Sequence, residues 1–391
     1  MRRFLITLTI MMAVSLAGCA QQGSIFSEPG DNIATPSAMA VDVNTNRLYL
    51  VNSNAKVLYD WTKGSFQVLD ITNPLAPTLI KSVETPSFSG QIYLNVGQNT
   101  AYVPNRFSAN DNATNDALFV FNVDELSTNF LSYNSLQLGE NPYAISCCYP
   151  AARVWITTSS GELQYVDTNN ASPTAGSIMI TTTLANGGEL SNVEVNHIAL
   201  LNNQAFLSRE FGGIMVVNLD DAGVTGAVPV DYFISDVQNP RGIATDGKYI
   251  YVVGEGDEDG DYRRTLTVLD PSTLTPLYDN TTTWQLDKND NNLLVSMIDV
   301  GQNPQEVLLT SQYAFVTNQD DDTVSVINLA NVTTATAADA TISVGLQPFS
   351  LALYRTNDGV DKYVYVGNVE SNTISIIDIP SLSVVATYDP D

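Results

Sequence analysis

The chain contains 391 residues, of which 42 are acidic and 16 are basic, and its formal net charge is −26. A surface this acidic repels nucleic acid and anionic lipid headgroups, which excludes a nucleic-acid partner. Helical periodicity is almost absent, whereas Thr, Val, Ile, Tyr and Asn abound, so the sequence predicts an all-β protein. One continuous core would be unusually large at this length, and repeated units that pack only on their neighbours avoid that limit.

Residues 1–18 are typical of an export signal. Arg2 and Arg3 form its positive end, and the apolar segment over 4–14 is too short to cross a bilayer as a permanent helix. Without these two arginines the chain keeps 14 basic and 42 acidic residues, a net charge of −28. We therefore expect an exported protein with a strongly acidic surface.

The signal ends in Leu16, Ala17, Gly18 and Cys19, which resembles the bacterial lipobox. In that motif the peptide is cut before the cysteine, and the cysteine is then lipidated. The resemblance implies a lipoprotein that begins at Cys19 and is held on a membrane by its lipid. Ala20, in place of Asp, is similar to lipoproteins sent to the outer membrane, which implies a location in the bacterial cell envelope. An ordinary signal peptide with a chance cysteine is the alternative.

Residues 19–33 are typical of a flexible tether, because they are polar and contain glycine. Residues 34–391 then carry one pattern seven times. The stretch 314–328, AFVTNQDDDTVSVIN, shows it: a strand that alternates around an aromatic residue, a polar turn, and a β-branched strand that ends in an amide. This pattern is typical of a β-hairpin.

Two markers define the repeat. The aromatic residue recurs as Tyr49, Tyr102, Trp155, Phe206, Tyr251, Phe315 and Tyr365. The acidic or amide residue that closes the second half recurs as Asp70, Asn122, Asp167, Asn218, Asp270, Asn328 and Asp378. The 308 residues from the first to the last of these make six steps, a spacing close to those of known propeller repeats.

Each repeat predicts four strands. In the first repeat, after Pro36, we expect them at 39–43, 47–52, 66–70 and 78–83. The same order follows the other entry prolines, Pro86, Pro142, Pro240, Pro304 and Pro348. The last repeat supplies its own outer strand at 384–388, so the ring need not borrow an N-terminal strand. The sequence predicts a seven-bladed β-propeller of four-stranded antiparallel blades; six or eight blades are the alternative counts.

Residues Phe315, Val316, Thr317 and Asn318, with the variant at 365–368, resemble the YVTN family of β-propellers. The resemblance extends over about residues 34 to 390. It implies the propeller fold and no particular chemistry, and repeats two to four depart most from the pattern.

One face of such a propeller collects the loops that enter the innermost strands and the loops between the second and third strands. The second residue after each entry proline, or its equivalent in repeats two and four, is here called a ring position. The seven ring positions are Ala38, Gln91, Ala144, His197, Gly242, Glu306 and Ser350. The residue that closes each second strand is Asn52, Asn105, Thr158, Arg209, Gly254, Asn318 or Asn368. His197 and Glu306 stand out in the first series, and Arg209 stands out in the second.

These positions and their neighbours predict a ligand site at the mouth of the channel. The candidate residues are Arg106, Tyr143, His197, Arg209, Glu210, Arg241, Glu255 and Glu306. We expect a small polar or anionic ligand, with Arg209 and Arg241 as bidentate anchors. The alternative is that the arginines form ion pairs with Glu210, Glu255 or Glu306 that hold neighbouring blades together.

The expected function is a non-catalytic binding module, whose protein or small-molecule partner the sequence does not identify. His197 is the only histidine, and no Gly-x-Ser-x-Gly nucleophile motif occurs. The alternative is a hydrolase similar to propeller lactonases, with a divalent metal in the channel. A catalytic interpretation pairs His197 as base with Glu306 as acid.

Cys147 and Cys148 are adjacent and lie in an oxidising compartment if the chain is exported. A disulfide between them resembles the ring over the cofactor in quinoprotein dehydrogenase propellers, although the tryptophan-rich repeats of that family are absent. The sequence slightly favours two inert buried thiols over this disulfide.

Two acidic loops are candidates for weak calcium binding; no other cofactor is predicted. Asp257, Asp259 and Asp261 alternate in the fifth repeat, and Asp287, Asn289 and Asn291 alternate before the sixth. Both loops lack the glycine and the final glutamate of a helix-loop-helix calcium site. Solvated loops are the alternative.

Overall fold

The computed structural model describes residues 33–53, 55–56, 60–61, 64–85, 90–105, 116–148, 152–158, 161–183, 195–209, 212–220, 230–235, 237, 239–256, 264–275 and 284–390. The export signal, Cys19 and the tether up to residue 32 lie outside them. In this part of the chain no helix is long and apolar enough to span a membrane.

Seven antiparallel sheets form a ring, as predicted. From the axis outwards, blade 1 contains Pro36–Asp42, Arg47–Asn52, Gly64–Asp70 and Thr78–Thr85. Blade 2 contains Tyr93–Asn95, Thr100–Asn105, Ala117–Asn122 and Tyr133–Gln137. Blade 3 contains Ile145–Cys147, Arg153–Thr157, Glu162–Asp167 and Ile178–Thr183. Blade 4 contains Val195–Leu201, Gln204–Arg209, Ile214–Asn218 and Val230–Ile234.

The remaining blades follow the same order. Blade 5 contains Pro240–Thr245, Ile250–Gly254, Thr265–Leu269 and Leu294–Asp299. Blade 6 contains Pro304–Leu309, Tyr313–Asn318, Thr323–Asn328 and Ala340–Ser343. Blade 7 contains Pro348–Arg355, Asp361–Asn368, Thr373–Asp378 and Ser383–Tyr388. A small hairpin pairs Ala55–Lys56 with Asp60–Trp61, and short 3-10 helices span Val96–Gln98, Pro271–Thr273, Asp290–Asn292, Gln319–Asp321 and Leu329–Asn331.

The aromatic markers form the centre of each contact between blades. All seven are buried, and each belongs to a different hydrophobic cluster between neighbouring blades. Tyr365 of blade 7, for example, packs in one cluster with Met39 and Leu48 of blade 1. Burying one large side chain contributes about 2 kcal/mol. The repeated aromatic therefore joins each blade to the next.

The acidic and amide markers stabilise the turn after each third strand. The side-chain oxygen of Asp70 accepts a hydrogen bond from the N–H of Thr72 at 2.7 Å. The same bond to the residue two positions on occurs at Asn122, Asp167, Asn218, Asp270 and Asn328. These turns explain the short polar side chain at the end of every repeat.

The asparagines that close the second strands have a structural role. Asn52 accepts a hydrogen bond from the N–H of Ala34 at 3.1 Å, and Asn318 accepts one from the N–H of Gly301 at 3.0 Å. Both are fully buried. Each therefore holds the loop that enters its own blade, and the amide series is not a row of exposed ligand-binding groups.

Buried hydroxyl groups join the innermost strands of neighbouring blades. Thr317 Oγ1 accepts a hydrogen bond from the Glu306 N–H at 3.0 Å and donates one to the Phe349 carbonyl of blade 7 at 3.2 Å. Ser350 closes the ring by donating to the Pro36 carbonyl at 2.8 Å. Blade 7 has its own outer strand, as predicted, so this closure between blades 7 and 1 needs no exchanged strand.

The small hairpin of blade 1 and one further strand were not predicted. Trp284–Leu286 lies between the third and fourth strands of blade 5 in sequence, yet it pairs in parallel with Val230–Ile234 at the edge of blade 4. A similar contact joins Asp299 of blade 5 to Ala337. The repeat pattern describes pairing within one blade, so it contains no signal for a strand that crosses to the next.

Candidate ligand site at the channel mouth

The candidate site lies on the face where the innermost strands begin, here called the entry face. The loops into the innermost strands and the turns between second and third strands meet there, because Pro36 pairs with Asn52 and Asn52 pairs with Ser65. Five innermost strands contain an irregular register at this point: those of blades 1, 4, 5, 6 and 7. Such bulges redirect side chains at functional sites.

His197 is held in the channel wall by blade 2. Its Nδ1 is in hydrogen-bond contact with Nε2 of Gln91, and its backbone N–H donates to Ser208 Oγ at 3.0 Å. Gln91 therefore reaches past blade 3, whose equivalent residue is the small Ala144. Burial, and to a smaller extent the charge of Arg241, lower the pKa of His197 to about 4.

Glu306 is held by blade 7. Its Oε2 accepts a hydrogen bond from the backbone N–H of Leu351 at 2.7 Å. Burial raises the pKa of Glu306 to about 8, although the Leu351 N–H opposes that shift. In the described part of the chain no hydrogen bond or ion pair joins Glu306 to His197. The structure therefore gives the two residues separate partners.

Arg241 lies beside His197 and pairs with Glu255. The Arg241 Nη2 and Glu255 Oε2 atoms are 3.3 Å apart, and both side chains are partly exposed. Both residues belong to blade 5, so this ion pair stabilises the entry loop of one blade and does not connect two blades.

Arg209 lies elsewhere. Its guanidinium carbon is 5.7 Å from the centre of the Phe233 ring, on the outermost strand of the same blade. A side chain on Gly212 would contact Arg209 Cδ at 2.9 Å, so the glycine makes room for the arginine. Tyr143 is buried, and its carbonyl accepts from the Gln91 N–H at 3.3 Å. The structure thus brings His197, Arg241 and Glu255 together and directs Arg209 along blade 4.

Several predicted residues lie outside the described residues: Cys19, Arg106, Glu210, Asp257, Asp259 and Asp261. In the second acidic loop, Asp287 Oδ1 accepts a hydrogen bond from the Asn289 N–H at 2.8 Å, and this bond stabilises a local turn. Within the described ranges no group of three or more His, Cys, Asp or Glu residues is placed to hold a metal ion.

The structure contains a disulfide between Cys147 and Cys148. It lies at the end of the innermost strand of blade 3, away from the entry face, and Cys148 is exposed. The hydroxyl group of Tyr93 is 3.3 Å from Cys148 Sγ.

Sequence reasoning placed Gln91 on the ring but missed its importance. The signal available was position alone, since Gln91 occupies the place of His197 and Glu306 in blade 2. Its contact with a residue two blades away depends on the curvature of the ring, which the sequence does not encode locally.

No protein-family model and no curated protein matches this chain. Three solved structures resemble it in fold. Kuenenia stuttgartiensis hydrazine synthase matches with a TM-score of 0.62 at 14% identity, over 91% of this chain and 98% of that one. A "putative 6-phosphogluconolactonase" from Bacteroides uniformis matches with a TM-score of 0.58 at 14% identity, over 82% and 88%. The computationally designed Ika8 protein matches with a TM-score of 0.55 at 15% identity, over 93% and 89%. At such identities these likenesses concern the fold alone.

Proposed function

We propose that this protein is a cell-envelope lipoprotein whose propeller binds a small polar or anionic ligand at the entry face without catalysing a reaction. The observation that supports this function is the pairing of the polar groups around the mouth. His197 contacts Gln91, Glu306 accepts from the Leu351 N–H, and Arg241 pairs with Glu255. Groups fixed in this way form a rigid binding wall.

The pKa shifts determine the charge of this wall near neutral pH. At pH 7 a histidine with a pKa of about 4 is neutral, and a glutamic acid with a pKa of about 8 is mostly protonated. His197 and Glu306 therefore present hydrogen-bonding groups without charge. The wall would not repel an anion, in spite of the acidity of the chain as a whole.

The lipid anchor is supported by the sequence around Cys19 and by the position of the first described residues. Ala34 and Thr35 are fixed on the entry face by Asn52 and Asn372, at 3.1 and 2.9 Å. A tether over 19–33 would therefore join the propeller at the face that contains the site.

The anchor is tested by expressing the full chain and Cys19→Ala in a Gram-negative bacterium with labelled palmitate. We expect label and outer-membrane fractionation for the parent and loss of both for Cys19→Ala. Cys148→Ala is the matched control, because it removes a cysteine outside the lipobox and should keep the label. Equal labelling of the parent and Cys19→Ala would refute the lipoprotein assignment.

Binding is tested by native mass spectrometry of the protein purified from envelopes, followed by thermal-shift measurements with the small molecules that copurify. Gln91→Leu removes the hydrogen bonds to both His197 and the Ile145 N–H, and we expect it to change the affinity at least threefold, because His197 loses its fixed position and the Ile145 N–H loses its acceptor. Unchanged affinity in both Gln91→Leu and Arg241→Ala would exclude the channel mouth as the site.

The second candidate function is a lactonase-like hydrolase. The fold likeness to the B. uniformis protein favours it, and a divalent metal in the channel would supply the catalysis. Elemental analysis of the purified protein distinguishes the two functions. Stoichiometric metal that survives dialysis, together with lactone hydrolysis that a chelator abolishes, would favour the hydrolase.

A further inference from the structure

Seven backbone N–H groups form a circle that faces the channel. Each belongs to the residue that follows a ring position in the sequence. The residues are Met39, Ile92, Ile145, Ile198, Ile243, Val307 and Leu351. Six of them lie in innermost strands and share one register, opposite Leu50, Ile156, Leu207, Val252, Val316 and Val366. Alternate N–H groups of an edge strand point away from its sheet. In a propeller blade, that direction leads into the channel.

Burial of these residues agrees with this direction. Each of their side chains packs in a different one of the seven clusters between blades. The six in strands nevertheless keep 3–7% of their surface exposed. These residues are thus packed between neighbouring blades without being completely closed off from solvent.

Two of these N–H groups already bind oxygen atoms. The Ile145 N–H donates to Gln91 Oε1 at 3.2 Å, and the Leu351 N–H donates to Glu306 Oε2 at 2.7 Å. In both cases the oxygen comes from the ring position of the preceding blade. The protein's own amide and carboxyl oxygens thus occupy the positions that a ligand oxygen would take elsewhere on the ring.

Three other ring positions supply no side-chain oxygen. The N–H groups of Ile92, Ile198 and Val307 each follow a blade whose ring position has no side-chain oxygen. Those ring positions are Ala38, Ala144 and Gly242, respectively. A Cβ atom on Gly242 would lie 2.9 Å from the Val307 nitrogen, so glycine leaves that N–H uncovered. Within the described ranges no side-chain oxygen is bonded to these three donors, so water or a ligand in the channel would supply one.

We propose that this ring of N–H groups binds the carboxylate of a small organic acid at the channel mouth. The inference rests on the proposed binding function and deepens it by naming the ligand chemistry. Backbone N–H groups that converge on a concave site favour oxyanions, because the donors are fixed and carry partial positive charge. The anchors are thus backbone donors rather than Arg209, which packs over Phe233, or Arg241, which pairs with Glu255.

Isoleucine-selective 15N labelling tests the proposal directly, because four of the seven ring residues are isoleucines. The mature full chain in detergent is titrated with sodium acetate and, separately, with acetamide, at constant ionic strength and pH 6. The signals of Ile92 and Ile198 should shift with acetate and remain unchanged with acetamide. Ile145, whose N–H is occupied by Gln91, and the core residue Ile250 should remain unchanged in both. An Ile198 signal indifferent to acetate would overturn the proposal.

Two variants at one position provide a second test. Glu306→Ala frees the Leu351 N–H, so malonate should bind more tightly, roughly three- to tenfold. Glu306→Gln keeps an oxygen on that N–H, so any gain in its affinity should be smaller than that of Glu306→Ala. Weaker binding in Glu306→Ala would contradict the proposal. If malonamide binds the wall and malonate does not, the carboxylate assignment fails while the binding function stands; if neither binds, both fail.

Discussion

At the scale of single residues, the two unusual ring positions have opposite pKa shifts with one cause. Burial in the channel wall disfavours charge, so the pKa of His197 falls to about 4 and that of Glu306 rises to about 8. Both groups are consequently uncharged over much of the neutral range. Their titration links ligand binding and stability to pH.

The pH dependence of stability has a predictable sign at Glu306. Its pKa rises from 4.5 in the unfolded chain to about 8 in the folded one, so the stabilisation it provides is complete below about pH 4.5 and is lost as pH rises towards 8. Glu306→Gln cannot ionise. We expect its melting temperature to exceed that of the parent by a few degrees at pH 8.5, and the difference to vanish near pH 4.5.

Differential scanning calorimetry between pH 4.5 and 8.5 measures this difference. Asp320→Asn, which removes an exposed carboxylate, is the matched control and should change the melting temperature little. A constant difference between Glu306→Gln and the parent at all pH values would contradict a buried, neutral Glu306.

At the scale of elements, the blades are joined by apolar clusters and by buried hydroxyl groups on the second strands. Ser208 in blade 4 and Thr317 in blade 6 make the same pair of contacts, to an N–H of their own innermost strand and to a carbonyl of the next blade. The register of one innermost strand is thereby fixed against the next.

Thr317→Val should therefore destabilise the propeller. The valine has nearly the same shape, but it leaves the Glu306 N–H and the Phe349 carbonyl without their partner. An unsatisfied buried polar group costs about 1–3 kcal/mol, which in a domain of this length corresponds to a melting temperature lower by roughly 1–4 °C. Thr317→Ser retains the hydroxyl and should lose less than half as much. Equal losses for the two variants would assign the effect to packing instead.

The crossing strand Trp284–Leu286 is the second feature that joins neighbouring blades. It pairs with the outermost strand of blade 4, which would otherwise present an unpaired edge. Unpaired edges invite pairing with other chains. Blade 4 therefore has five strands where the repeat predicts four.

At the scale of the whole molecule, the entry of the chain and the candidate site share one face. If residues 19–33 form the flexible tether that the sequence predicts, the 14 steps from Cys19 to Ile33 would have an average reach of roughly 20 Å. A compact domain of this size has a diameter of roughly 50 Å. If the lipid anchor is correct, the tether is too short on average to turn the opposite face towards the membrane.

We therefore expect the entry face to lie nearest the membrane. Fluorophores on Leu346→Cys, in the loop into blade 7, and on Leu126→Cys, at the opposite face, compare the two sides; both positions are exposed. In vesicles that contain a quenching lipid, the probe at 346 should be quenched more strongly than the probe at 126. The unanchored Cys19→Ala chain should show no difference between them. Stronger quenching at 126 would contradict the expected orientation.

The sequence by itself determined the architecture, because the features that build a blade are local and repeated. An aromatic in every second strand and an Asx residue after every third strand fix strand type, turn and spacing within about 50 residues, so the seven sheets could be counted in advance. The ring positions of His197 and Glu306 followed from the same alignment.

Only the tertiary structure decided which side chains meet. Gln91 reaches His197 two blades away, Arg241 turns to Glu255, Arg209 packs over Phe233, and Trp284–Leu286 crosses to blade 4. These contacts depend on how far each blade is rotated about the axis and on which small residues leave space between them. Residues distant in the chain determine that geometry together, so no local pattern contains it.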